Sequence, residues 1–196
     1  MESHERFGDL FQTQGYVLLR PSIDFKIKPE VIASFGYTFI NSQSFDPYLL
    51  PASRNEHNIW EQILLKQKFG KVELQHRFRQ EHRWVDKFGV LSNGDIVKDG
   101  SSFSNRFRYR FTFSWKFKEL KNEDKLFLAI FDEFWVSQGK AVLPENFSRN
   151  WMYFGLGYAF TDNMNFQSGF MHLYDRAGEG AYIYTPIWQT TFVYNF

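Results

Sequence analysis

Arginine recurs at every second position in two segments of this chain. Arg106, Arg108 and Arg110 lie within FSNRFRYRFTFSWKF (103–117), and Arg77, Arg79 and Arg83 lie within 71–84, where Glu81 keeps the same spacing. Residues two apart on an extended chain point to the same side. Each set therefore directs guanidinium groups into one space. The chemistry of such a face is recognition of carboxylate or phosphate by the planar arginine fork. Two readings follow. One is an anion-selective or anion-binding lining. The other is a set of internal ion pairs, with Glu81, Glu133 and Arg149 as further members, that fills and stiffens a narrow interior. Charge away from water is costly unless it is paired or wet, which favours the ion-pair plug.

Other reactive side chains give weaker patterns. His76 and His82 share one strand face but stand about 20 Å apart, too far to hold one metal ion. Their face is the apolar one, so contact with lipid or an interface is the simpler role. Ser168 and His172 also share a face, at about 13 Å, beyond direct proton transfer. Asp86, Asp95 and Asp99 lack the regular spacing of a calcium loop. Tyr48, Leu49 and Leu50, flanked by Pro47 and Pro51, are candidates to fold over a mouth or touch a partner. No nucleophile motif, phosphate loop or nucleotide fingerprint is present. No catalytic residue, metal site or cofactor is assigned.

The elements that position these groups read as strands. In 103–117, Phe103, Phe107, Tyr109, Phe111, Phe113, Trp115 and Phe117 alternate with basic and hydroxylated residues. A helix would scatter both sets around its circumference. In 184–196, Trp188, Thr190, Phe192, Tyr194 and Phe196 share a face. Further strands are expected at 15–27, 31–41, 57–68, 71–84, 125–136, 149–160 and 164–174, nine in all. In 57–68 the two faces are too similar to assign. In 125–136, Phe127, Phe131 and Trp135 blur the division. Short connections near 28–29, 69–71, 119–124 and 161–163 alternate with long ones at 42–56, 85–102, 137–148 and 175–183. Alternating short turns and long loops mark an up-and-down barrel of the outer-membrane type. Hairpin pairing then sets Glu81 near Arg106 or Arg108, Glu73 near Ser114 or Lys116, Glu133 opposite Arg110 or Arg108, and Arg149 near Asp175.

Composition bounds the class. The 196 residues suit one domain, spanning 1–196. A fifth of them are aromatic, 24 being Phe, yet the mean hydropathy is −0.43. Only fine interleaving of rings and charges reconciles the two. No apolar run is long enough for a membrane-spanning helix, but barrel strands need only about 9–11 residues. A net charge of +1 gives no field for nucleic acid. Cysteine is absent, which removes disulfide and thiolate chemistry.

Which face points inward decides between a soluble barrel and a membrane one. Rings at every inward position would overfill a small barrel. Three successive outward arginines suit a soluble strand poorly. Phe196, ending an alternating aromatic strand, resembles the signal read by outer-membrane insertion machinery. The expectation is an all-β, antiparallel up-and-down transmembrane β-barrel. Phe107, Tyr109, Phe111, Phe113, Trp115, Trp188, Phe192 and Tyr194 would face lipid. Arg77, Arg79, Glu81, Arg83, Arg106, Arg108, Arg110, Glu133 and Arg149 would line the lumen. Nine strands are an odd number, and both ends of such barrels lie on the periplasmic side. Residues 1–12 are too short and polar to cross alone. The parent barrel is thus expected to have ten or twelve strands, with a signal peptide and first strand upstream.

The segments LLRP (18–21), FGYTF (35–39), WEQ (60–62), FRQEHRW (78–84), NRFRYRF (105–111), FDEFW (131–135) and SRNWMYFGLGY (148–158) resemble those of a bacterial family catalogued as domain of unknown function 2490. The resemblance covers essentially the whole chain. It implies an outer-membrane barrel of Gram-negative bacteria, commonly Bacteroidota, with a signal peptide ahead of the barrel. It implies no activity, so it assigns no functional residue. The expected location is the bacterial outer membrane, with membrane lipid and the insertion machinery as partners. The expected role is structural, or a narrow conduit for small solutes, because open channels take about sixteen strands. The alternatives are a membrane-embedded enzyme acting on lipid or surface polymer, and a soluble lipocalin-like binder.

Overall fold

A computed structural model describes residues 2–8, 13–43, 52–119, 125–138, 147–161, 163–178 and 180–194, with side chains from Val17 onward. All the regular structure is strand: β1 (Glu2–Gly8), β2 (Thr13–Arg20), β3 (Ser22–Lys28), β4 (Val31–Ser42), β5 (Arg54–Phe69), β6 (Val72–Val90), β7 (Ile96–Glu119), β8 (Lys125–Gln138), β9 (Phe147–Ala159), β10 (Met164–Gly178) and β11 (Ala181–Tyr194). They form one antiparallel sheet in sequential order, with β3 alongside β4.

The nine expected strands are all there, but the first is interrupted. β2 and β3 meet β4 in one continuous register, Leu19 opposite Phe39 and Ser22 opposite Gly36. Between them stands Pro21, which has no N–H to give to the ladder; its carbonyl still accepts the N–H of Tyr37 at 3.1 Å. β1 is an addition to the expected set. Residues 2–8 pair with β2, Glu2 opposite Arg20, so a segment too short to span a barrel alone still extends the sheet by one position.

Two expected long loops are corrected to hairpins. β6 and β7 continue pairing to Val90 opposite Ile96, leaving only 91–95 as the connection. There Gly94, at φ 89°, takes the left-handed turn that favours glycine. Residues 91–101 are exposed throughout. The β10–β11 pairing likewise continues to Gly178 opposite Ala181. At the other rim β5 and β6 turn tightly through Gly70, at φ 59°, which locks the register from Phe69 opposite Val72 to Glu56 opposite Val85.

Side chains alternate between the two faces through the central parts of the strands, with register shifts near strand ends such as Asp86/Phe88 and Lys116/Lys118. The sheet curls into a barrel-like form, because one cavity is lined by Arg20 of β2 and Asp175 of β10, strands near opposite ends of the order. Among the described residues no pairing joins β1 to β11. The concave face carries the even residues of β4, β5 and β7 and the odd residues of β6 and β8–β11.

Candidate functional site

The charged residues converge because hairpin register brings them opposite one another. Glu81 lies opposite Arg106, Glu133 opposite Arg110, and Asp175 opposite Arg149. Glu73 lies opposite Ser114. Glu133 is wholly buried and accepts hydrogen bonds from three arginines: Arg77 Nη2 at 2.7 Å, Arg108 Nε at 2.9 Å, and Arg110 Nε and Nη2 at 2.9 and 2.5 Å. Glu81 takes Arg106 Nε at 2.6 Å and Arg108 Nη1 at 2.7 Å. Arg108 thus bridges the two carboxylates.

The network extends through a residue that the sequence pattern did not single out. Glu56 holds Arg83 in a bidentate grip, 2.8 and 2.6 Å, and lies 3.6 Å from Arg106. The ambiguous strand at 57–68 therefore does have a polar inner face, with Arg54, Glu56, Asn58, Trp60 and Gln62 on its even positions. Gln62 accepts from Arg79 at 3.0 and 2.7 Å, and Arg79 also stacks 4.0 Å over the Trp60 ring. Arg77 and Arg106 each reach past a neighbouring strand to a carboxylate on the next but one. The ion pairs thereby tie together strands that share no backbone ladder.

Three aromatic residues of β8 complete the interior. Phe127, Phe131 and Trp135 point inward, which settles the ambiguous alternation at 125–136. Trp135 is a stacking platform for Arg108, Arg106 and Arg149, at 3.8, 4.4 and 4.9 Å from its ring centre. Arg110 lies 4.2 Å over Phe131. Beyond them Phe127, Ala129, Tyr153, Met171 and Leu173 form an apolar cluster, with Phe131, Trp151 and Ile187 against it.

Past the ion pairs the interior opens into a cavity of about 260 Å³. Arg54, Glu56, Arg83, Arg149 and Asp175 line it, with Trp135 and Trp151 as aromatic walls. Arg149 Nε stands 3.6 Å from Asp175, whose same oxygen accepts the Trp151 indole N–H at 2.9 Å.

The convex face carries the rings. Phe78, Trp84, Phe103, Trp115, Phe134, Phe154, Leu156, Phe170, Trp188, Phe192 and Tyr194 are exposed. Phe107, Tyr109, Phe111 and Phe113 alternate with the buried arginines and are half-buried by their neighbours on the same face. Phe196 lies outside the described residues, as do Tyr48, Leu49 and Leu50.

The weaker candidates disperse. His76 hydrogen-bonds the Tyr109 hydroxyl at 2.8 Å, and His82 contacts Asn105 at 2.8 Å and Glu61 at 3.3 Å. Ser168 pairs with the Thr190 hydroxyl at 2.8 Å and accepts the Trp188 indole N–H at 2.9 Å. His172 meets the edge of Tyr184 instead, ring centres 4.2 Å apart. Asp86 binds Lys98 at 2.7 Å and the Asn55 N–H at 3.1 Å, while Asp95 caps its own turn with Asn93.

A family model described as "Protein of unknown function (DUF2490)" matches residues 1–183. The chain belongs to this family. Its DUF2490 match runs from β1 into β11, so every strand that contributes to the ion-pair network lies inside it. No curated protein and no solved structure matches the chain.

Proposed function

We propose that this DUF2490 chain is a membrane-spanning barrel of the Gram-negative outer membrane, with a structural role or that of a narrow conduit for small solutes. One observation carries the reading: the polarity of the sheet is inverted. Glu133, Glu81, Arg108 and Arg79 are 0–4 % exposed, while Trp188, Phe192 and Phe154 are 72, 62 and 57 % exposed. Each large apolar side chain left in water forgoes about 1.5–3 kcal/mol. A band of them on every strand from β3 to β11 exceeds the few hundred Å² that soluble monomers expose. Hydrocarbon on the convex side removes that cost, and the continuous ladder of hydrogen bonds between neighbouring strands suits the sheet to lipid. The ion pairs crowd the interior between β5 and β8, which supports a narrow path rather than a wide one. Trp188, Phe192 and Tyr194 continue toward Phe196 with the alternation that the insertion machinery is expected to read.

Fractionation and conductance test this. The protein, expressed with an export signal in a Gram-negative host, is expected in the outer-membrane fraction after alkaline carbonate washing. Recovery as a soluble monomer without detergent would overturn the reading. In planar bilayers the refolded protein is expected to give at most small currents. A large, porin-like conductance would contradict the filled interior, and current indistinguishable from background would leave the structural role alone.

A further inference from the structure

Among the described residues, the cavity past the ion pairs carries more positive charge than its carboxylates neutralise. Arg54, Arg83, Arg106, Arg108 and Arg149 line it, against Glu56 and Asp175. The two buried glutamates nearby are already shared, Glu81 and Glu133 each among three arginines. Glu56 is committed to Arg83 and Arg106. Besides stacking on Trp135 and Trp151, Arg149 makes one ion pair among the described residues, the looser contact with an Asp175 oxygen that also serves Trp151. Arg54, exposed at the mouth, has no carboxylate within ion-pair distance among the described residues.

A second observation is independent of charge. The Trp135 indole N–H is buried and has no acceptor among the described residues, although the residue lines this cavity and is 5 % exposed. A buried donor without an acceptor costs about 1–3 kcal/mol. Three guanidinium groups stack on the same ring. Those groups can supply only further donors, so an acceptor entering the cavity would satisfy the indole.

We propose that this cavity is a binding site for a phosphate-type oxyanion. A tetrahedral dianion presents several acceptor oxygens, enough to take Arg54 and Arg149 together with an indole N–H, whereas a carboxylate has two. The cavity volume admits a phosphate group with a small organic substituent or with waters. Arginine is the residue suited to it, through paired N–H donors in a fixed plane. The site does not depend on the membrane reading, because it lies on the concave face whatever surrounds the convex one.

The test uses the refolded full chain in nonionic detergent, at constant ionic strength, with inorganic phosphate as probe and tryptophan fluorescence and calorimetry as readouts. Saturable binding is expected, weakened about tenfold or more in Arg149→Gln and in Arg54→Gln. Lys68→Gln, at the opposite rim, is expected to bind as the unaltered chain does. The unheated electrophoretic mobility of each variant establishes that it is folded. Mixed micelles containing phosphatidic acid decide the source: competition with inorganic phosphate points to a lipid headgroup, and its absence to a soluble phosphate compound. No saturable binding by the folded chain, or equal affinity in all three variants, would overturn the proposal. Neither result would bear on whether the barrel enters membranes.

Discussion

The two flanks of the interior solve one packing problem by opposite means. From β5 to β8 the space is filled by long charged side chains that reach over neighbouring strands and meet at Glu56, Glu81 and Glu133. From β8 to β11 it is filled by rings and aliphatic groups around Tyr153, Met171 and Leu173. The backbone and the alternation are the same on both flanks. What differs is how room is made. The charged flank needs none, because flexible arginines fold along the wall and stack on Trp60, Trp135 and Phe131. The apolar flank needs glycine. Phe127 lies directly opposite Gly157 and Ala129 opposite Gly155, and a methyl group on Gly157 would occupy the Phe127 ring. Trp60 shows the same device on the charged flank, lying over Gly36. Where a ring lies flat over the next strand, as Phe127 and Trp60 do, that strand carries glycine, whereas most of the buried arginines are matched by a carboxylate.

That contrast sets the order of mutational effects. Glu133→Gln removes the charge that Arg77, Arg108 and Arg110 share. Stranding buried charge is the most costly change available in either flank, about 3–5 kcal/mol. Urea titration of the protein refolded into lipid vesicles is expected to show a loss of this size, and a loss below 1 kcal/mol would mean that water reaches the network. Raising NaCl to high concentration is expected to leave the unaltered protein nearly unchanged, because buried pairs are poorly screened.

How far the sequence announced this arrangement depends on contrast between faces. In 106–111 rings and arginines alternate without exception, and the flanks of 103–117 keep the same division apart from Asn105, so orientation and strand could be read directly. Pairing of consecutive strands then narrowed the partners to Arg106 or Arg108 for Glu81 and to Arg110 or Arg108 for Glu133, and the observed register sets Arg106 and Arg110 directly opposite. In β8 both faces are apolar, so period two carries no contrast. The inward direction of Phe127 depends on Gly157 of β9, and that of Phe131 and Trp135 on the Tyr153 ring and the arginines they stack with, fits between strands that no single segment displays. Glu56 stayed hidden for a related reason: Ile59 and Ile63 face outward beside polar His57 and Glu61, which masks the polar inner set. The tight turn at Gly70 could have revealed it, since register from that turn sets Asn58 opposite Arg83. β1 was obscured by polarity, because pairing at a sheet edge is made by backbone groups and needs no apolar side chains.

The apolar flank is expected to fail more gently and to be repairable. Gly157→Ala forces a methyl group into the Phe127 ring, and overpacking of this kind costs about 1–3 kcal/mol. Adding Phe127→Leu to the same chain frees the space and is expected to restore part of the loss, so the pair couples in a double-mutant cycle. Strict additivity in urea titrations would show that ring and glycine do not oppose each other, and the size-matching account of this flank would fall. No such partner substitution is expected to rescue Glu133→Gln, since three separate arginines would need new acceptors.

The smallest effect marks where the charged strategy stops mattering. Lys68 and Glu73 also pair across a hairpin, at 3.5 Å, but their side chains are 72 and 25 % exposed. Water already solvates both groups, so the pair gains little from contact and is screened by salt, at about 0–1 kcal/mol. Lys68→Gln is expected to shift the urea midpoint only slightly, and less still at high salt. A loss comparable to that of Glu133→Gln would mean that the rim is as dry as the centre. The network would then owe its strength to the number of charges present rather than to the exclusion of water around Glu81 and Glu133.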